Sequence, residues 1–469
     1  MASGFHVEHF GCRAARADGE AVSERLRAAG LCLEGAAEAD VVIVNTCSVT
    51  EEADRTARAF IRRTHRMNPA AQIMVTGCYA QRAPQELASL AGVAAVVGNS
   101  HKGLAPAIAV DLARGTHRLA FSGGAADLVP VQSLLSTGPY GSARVWVDDH
   151  FAHSFLEDAQ IIPGAQTRPN LKIQEGCGNR CTFCVIPQTR GASRSLSADS
   201  VLRHVEGFVA AGGNEVVLSG INLGRWGRDL AREGRMPWSF SGLVRRILEE
   251  TALPRLRLSS IEPMDWSQDL LALYSRFAAG KHPRLARHTH LPLQSGSDAI
   301  LRRMHRRYRP WHYAERLAAI RGLMPEAAIG ADVMIGFPGE TDAMFEESYR
   351  FIAAQPLTYL HLFPFSARPA TPAWEMHREN PVPARTVEER MQALRELMAE
   401  KFRVFRQGLV ERMLSAVTIE TGPQNTTAAV TDNFLKLTIE EGVPANRMVT
   451  ARITALTTEG LLGKMAPGR

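Results

Sequence analysis

The sequence predicts an α/β protein in three parts: a small parallel α/β domain, a partial (βα)6 barrel and a small all-β barrel. Three observations carry this. Residues 1 to about 100 alternate continuous apolar runs with amphipathic stretches, as strands buried on both faces and their covering helices do. Residues 168 to about 365 repeat strand and helix six times. After one long charged helical stretch, the remainder reads as short strands separated by turns.

In chain order, "FHVEHF" is a short alternating strand, and "DGEAVSERLRAAG" is an amphipathic helix stopped by Gly30. "DVVIVN" is a buried strand. "EEADRTARAFIRRTHRM" is a helix with acids in its first turn and bases in its last. "QIMVTG", "APQELASLA" and "VAAVVGN" complete a small parallel sheet of four strands. Residues 101 to about 165 are rich in turn formers and read as a connection with some strand. The central strands are "LKIQE", "EVVLSG", "RLRLSSI", "HTHLPL", "GADVMIG" and "TYLHLFPF". "RTVEERMQALRELMAEKFRVFRQGLV" is the long helix, and "MLSAVTIE", "AAVTDNFLKLTIE" and "NRMVTARITALTTEGLLGKM" make the terminal β domain.

With 45% hydrophobic and 22% charged residues among 469, the chain has the composition of a soluble globular protein. No apolar run reaches the roughly 18 residues of a membrane span, and the N-terminus lacks a secretory pattern, so the expected compartment is the cytosol, with no membrane partner. Seven cysteines in a long, core-rich chain argue against a disulfide scaffold and for metal ligation or a reactive thiol. The net charge of +6 permits RNA binding without requiring it.

The cysteines form two sets. Cys12, Cys47 and Cys78 each follow a strand, in "HFGC", "VIVNTC" and "MVTGC", at the spacing of successive βαβ units. Strand carboxyl ends of a parallel sheet share one edge, where ligands bind, so the three are expected to converge there. Ordinary buried small residues are the alternative. Cys32, beyond a helix, keeps that ordinary reading. Cys177, Cys181 and Cys184 form C-x3-C-x2-C in "EGCGNRCTFCVIP". Structural zinc wants four ligands, usually as two close pairs, and would have to recruit His204 or histidines between 282 and 305. A cubane iron–sulfur cluster on three thiolates leaves one iron open, as radical chemistry with S-adenosylmethionine requires.

The triplet, with Phe183 before its last cysteine, is similar to the radical S-adenosylmethionine signature. With "NTCSVT", "GCYAQ", "HLPLQSGSD" and "IGFPGET", the chain resembles the radical methylthiotransferases over nearly its whole length. The resemblance implies an N-terminal methylthiotransferase domain with an auxiliary cluster (1–110), a radical core (163–398) and a TRAM-like RNA-binding barrel (400–465). "NTCSVTEEAD", "GCYAQ" and "VTDNFLKLTI" are most like the branch that adds a methylthio group to C2 of N6-threonylcarbamoyladenosine beside the tRNA anticodon. The implied cofactors are two 4Fe–4S clusters, on Cys12, Cys47, Cys78 and on Cys177, Cys181, Cys184, together with S-adenosylmethionine, whose 5′-deoxyadenosyl radical abstracts hydrogen. The implied partners are tRNA, a reductase or flavodoxin-like electron donor and a sulfur source. Alternatives are methylthiolation of a ribosomal protein side chain or another tRNA adenosine, and, in a different class, a non-catalytic zinc-stabilised RNA-binding protein.

Further candidates for the cofactor site are Phe183 in the triplet, Gly212, Gly213, Glu215 and Ser219 in "AAGGNEVVLSGINLG", which resembles the family's glycine-rich stretch at the methionine part of the cofactor, and Glu262 and Gln294 at two strand ends; Ser260 and Ser295 flank these. Helix stops and ordinary strand-end loops are the plainer readings. "LRRMHRRYRP" supplies Arg302, Arg303, Arg306 and Arg307 for phosphates and Tyr308 for stacking on a base, or else is a solvated helix end. His282, His288, His290 and His305 are too irregularly spaced for a metal site.

Overall fold

A computed structural model describes residues 3–11, 13–48, 50–115, 143–151, 167–232, 239–280, 282–422 and 425–466. By contacts the chain forms two compact units: Met1–Gln160 with Glu175–Asn179 and Val185–Ser193, and Ile161–Gln174 with Arg180–Cys184 and Arg194–Arg469.

The first unit is built on a parallel sheet: β1 (Gly4–His9), β2 (Cys32–Leu33), β3 (Val41–Thr46), β4 (Gln72–Gly77), β5 (Val93–Gly98) and β6 (Arg144–Trp146), in the order β2-β1-β3-β4-β5-β6. Alternate residues of β3 serve opposite faces. Val42 and Val44 pack with Phe60 and Ile61 of the helix Glu51–Met67, while Val41 and Ile43 pack with Leu26 and Ile108 of the helices Arg13–Ala28 and Ala105–Arg114. Both faces being covered, the strand reads as an unbroken apolar run. Four of these strands are legible in the sequence. Of the edge strands, two-residue β2 is not legible, and three-residue β6 falls in the segment from 101 to about 165 that reads as a connection with some strand, of which 116–142 and 152–166 lie outside the described residues. The exposed Cys32 lies on β2.

The second unit has six parallel strands: β7 (Asn170–Glu175, whose last residue belongs to the first unit), β9 (Glu215–Gly220), β10 (Arg255–Leu258), β11 (His288–His290), β12 (Ala328–Ile335) and β13 (Tyr359–Pro364), with β8 (Arg194–Ser195) beside β7. They pair as β10-β9-β7-β8 and β11-β12-β13. The groups are joined by a Leu256–Leu285 bridge and a 3.0 Å bond from Ile261 N–H to His290 O. This is the expected partial barrel. The helix Ala384–Gln407 leads to β14 (Met413–Thr421), β15 (Thr427–Thr431), β16 (Lys436–Ile439), β17 (Met448–Leu456) and β18 (Leu461–Met465), a closed five-stranded barrel around Leu414, Leu437, Ile439, Ile453 and Leu461.

The terminal barrel is anchored by buried charge. Arg257 donates to Asp432 O and Thr431 O, both at 3.0 Å, while Arg255 donates to Ser415 Oγ and Arg287 to Asp432 Oδ2 at 2.5 Å. Glu215 accepts from Arg257 at 2.7 Å and from Arg255 at 3.4 Å. The Phe434 ring lies 4.6 Å from that of His288, with Arg168 and Arg257 over it.

This overturns one group of expectations. Gly212, Gly213 and Glu215 precede or begin β9, at its amino end, whereas Gln174, next to the cysteine loop, pairs with Gly220 at its carboxyl end. Gly212 (φ +85°) and Gly213 instead stop the helix Ala198–Ala210 by N–H bonds to Val209 O and Phe208 O, both 2.9 Å. Gly212 O accepts from Asn446 Nδ2 at 2.9 Å. These residues fasten the terminal barrel, and the helix-stop reading holds.

Candidate functional site

Cys47 directly follows β3 and Cys78 directly follows β4, adjacent strands of one parallel sheet, so both stand at its carboxyl edge, and both are buried. Cys12 lies outside the described residues. The chain just before it is close to Cys47: a Cβ on Gly11 (φ +116°) would fall 2.7 Å from Cys47 Sγ, so only glycine fits there.

Around Cys78 the first unit gathers polar groups that sequence reading missed. Arg190 Nε donates to Cys78 Sγ at 3.2 Å, and Asn99 Nδ2 donates to the same sulfur at 3.4 Å and to Thr189 O at 2.8 Å. Arg190 also pairs with Glu175 and, at 3.1 Å, with Asp18, which pairs in turn with Lys102. All four charged side chains are at most 1% exposed. Ions so deeply buried persist only when paired and hydrogen-bonded. Asp18 and Lys102 are far apart in sequence, and no periodicity or motif links them. The available signal was "IPQTRG", with an arginine six residues beyond the triplet.

Cys177, in the first unit, donates its N–H to Gly191 O at 3.0 Å, and its sulfur accepts from Asn179 N–H at 3.4 Å. A Cβ on Gly176 (φ +70°) would come 2.0 Å from Ala192 O. In the second unit, Cys181 Sγ accepts from Arg306 Nη1 at 3.2 Å. Arg306 also holds Glu262 at 2.5 Å and Tyr308 Oη at 3.1 Å, and Tyr308 donates to Pro292 O (2.7 Å) or Leu293 O (2.8 Å). Burial works against the Arg306 charge, but Tyr308, Glu262 and Cys181 outweigh it and hold the guanidinium well above its ordinary value. Arg306 and Tyr308 are therefore buried beside a cysteine, not exposed as the solvated run of phosphate and base contacts that the sequence suggests. Of the same run, Arg302 and Arg307 are exposed, while Arg303 is half-buried and bonded to Gly339 O at 3.1 Å. Phe183 packs against Ile300, Met304, Phe337 and Ala373.

At the carboxyl end of β9, Ser219 is buried and its hydroxyl has no hydrogen-bond partner among the described residues. Gln294 (φ +66°) sits beyond β11, its backbone N–H on Asp332 O at 2.7 Å. The histidines do not assemble: His288 meets Tyr359 Oη at 2.7 Å, His290 lies between Ser260 (2.8 Å) and Asp332 (3.4 Å), and His282 and His305 are exposed. Among the described residues no three His, Cys, Asp or Glu side chains converge tightly enough to hold a metal ion. What suits a cluster is the surroundings of the sulfurs. Cys78, Cys177 and Cys181 each accept from N–H donors, two of them from arginines, as thiolate ligands do.

Residues 4–98 match the family described as "Uncharacterized protein family UPF0004", and residues 171–352 the Radical SAM superfamily. The threonylcarbamoyladenosine tRNA methylthiotransferase MtaB of Bacillus subtilis is 32% identical, over 92% of this chain and 89% of its own. The chain belongs to the radical S-adenosylmethionine methylthiotransferases. A second relative, the tRNA-2-methylthio-N(6)-dimethylallyladenosine synthase of Novosphingobium aromaticivorans, is 33% identical over 83% of this methylthiotransferase and 81% of its own length. The radical S-adenosylmethionine methyltransferase TsrM of Kitasatospora setae shares the fold, with a TM-score of 0.55, 15% identity, and 80% of this methylthiotransferase and 75% of that chain covered. No helix among the described residues is long and apolar enough to cross a membrane.

Proposed function

We propose that this methylthiotransferase adds a methylthio group to C2 of N6-threonylcarbamoyladenosine in tRNA, in the cytosol. The observation that carries the substrate is the likeness to MtaB across nearly the whole of both chains. C2 of an adenine carries no proton acidic enough for an ordinary base, so the reaction needs hydrogen-atom abstraction. Cys177, Cys181 and Cys184 would hold one 4Fe–4S cluster, and Cys12, Cys47 and Cys78 the other. When bound, the first supplies reductive cleavage of S-adenosylmethionine and the second a site for the transferred sulfur. The chain's own part is to hold and place. Arg306 fixes Cys181 and Glu262 together. The unpartnered Ser219 hydroxyl, with Gln294 and Phe183, stands where a cofactor at the strands' carboxyl ends would be gripped. Of this run, exposed Arg307 and Arg302, which is paired with Asp298 at 2.8 Å, are the members at the surface where phosphates would bind. An electron donor of the reductase or flavodoxin kind and a sulfur source complete the system.

Nucleoside mass spectrometry of tRNA from cells lacking the gene tests this. The 2-methylthio form of N6-threonylcarbamoyladenosine should disappear and return on complementation. The second reading, favoured by relatives that act on dimethylallyladenosine, holds if the 2-methylthio-dimethylallyl nucleoside is lost instead.

A further inference from the structure

Cys78 differs from an ordinary buried cysteine in receiving two directed N–H donors, one from a buried cation. The Arg190 guanidinium meets Cys78 through Nε, Glu175 through Nη1 and Asp18 through both Nη atoms. Glu175 lies two residues before Cys177, and Gly191, the residue after Arg190, receives the Cys177 N–H. One short segment, Arg190–Gly191, thus grips a cysteine of each set.

We propose that Arg190, assisted by Asn99, is a positioning residue that sets the reduction potential of the cluster held through Cys78 and ties the Cys177 loop to it. This rests on the reading above that Cys78 is a cluster ligand. Hydrogen bonds to cluster sulfurs, local net charge and solvent exposure set such potentials. N–H donors spread the sulfur's negative charge and ease reduction. Arg190 and Lys102 stand against Asp18 and Glu175, two cations against two anions. Replacing Arg190 by a neutral residue removes one positive charge and one donor from beside the sulfur, and both losses disfavour the reduced cluster.

The test uses the full-length chain with Cys177, Cys181 and Cys184 changed to Ala, reconstituted anaerobically, so that one cluster remains. Its midpoint is read by a redox titration followed by electron paramagnetic resonance. Arg190→Gln should shift the midpoint to more negative potential, Arg190→Lys should lie between it and the parent, and Asn99→Ala should shift in the same direction by less. An unchanged midpoint in both Arg190→Gln and Asn99→Ala, with iron retained, overturns the proposal. If Arg190→Gln takes up no iron, Asn99→Ala decides, because it removes one N–H···S bond and leaves the ion network intact. Cys78→Ala in the same background separates the two readings. A cluster that persists with its midpoint unmoved refutes the ligand assignment itself, and the proposal with it.

Discussion

At Glu215 three arginines outweigh the cost of burying a carboxylate. Burial alone would raise its pKa, but Arg257, Arg168 and Arg255 bring it down to about 2. A carboxylate lowered in the folded state contributes stability in full above its ordinary value of 4.5, and that contribution is lost as the pH falls towards about 2. Chemical denaturation between pH 5 and pH 2.5 should therefore show a steeper loss of stability in the parent than in Glu215→Gln. At neutral pH Glu215→Gln leaves buried Arg255 and Arg257 short of their counter-charge and should cost about 3–5 kcal/mol, read from the urea midpoint. The cysteines give a second residue-scale prediction. Changing Cys177, Cys181 and Cys184 to Ala should halve the bound iron. Changing Cys47 and Cys78 to Ala should spare reductive cleavage of S-adenosylmethionine and abolish methylthiolation. Cys32→Ser, on an exposed edge strand, should alter neither.

Among the elements, the turn from β15 to β16 does the most for its size. Asp432, Asn433 and Phe434 meet Arg287, Glu326 O and His288 respectively, so three residues of the turn join the terminal barrel to the half-barrel. Asp432→Asn keeps the shape but weakens charge-assisted bonds and should cost roughly 1.5–3 kcal/mol. Hydrogen exchange should quicken in β14–β18 and stay unchanged in β3 and β4; equal change in both would mean that the turn is no local anchor. This scale also shows why the sequence was readable in part. β3, β4 and β9 announce themselves because a strand covered on both faces must be apolar throughout. The three-part α/β class and the strand-end positions of Cys47 and Cys78 follow from that pattern. β2 is too short to carry one, and β6 is short enough to show only as some strand within a connection. Gly212, Gly213 and Glu215 were misplaced because glycines before a strand signal a helix stop at the amino edge as readily as a ligand at the carboxyl edge. Arg306 and Tyr308 were misread because a basic run does not reveal which of its members turn inward. The Asp18–Lys102–Arg190 network joins residues from three distant segments, and only the folded chain brings them together.

For the molecule as a whole, the buried anchor changes how RNA binding can be tested. Deleting residues 400–469 removes Ser415, Thr431, Asp432 and Phe434 together and uncovers Arg255 and Arg257. Such a truncation should lose cofactor cleavage along with tRNA binding, because the half-barrel loses its buried partners. Point changes avoid this. The net charge is only +6, so tRNA affinity depends on where the exposed cations lie, and each phosphate contact contributes roughly 0.7–0.9 to the slope of log affinity against log salt. Arg302→Gln with Arg307→Gln, both exposed, should flatten that slope by about 1.5 for two lost contacts and leave cofactor cleavage without tRNA at the parent rate. Arg306→Gln should do the reverse: it removes a donor from Cys181 and the partner of Glu262, so cleavage should fall while the salt slope of tRNA binding stays where it was. Filter binding across a salt series, beside an assay for 5′-deoxyadenosine, separates the two behaviours. If Arg306→Gln flattens the slope as much as the exposed pair does, the buried guanidinium reaches phosphate after all, and the division of this arginine run into inward and outward members is wrong.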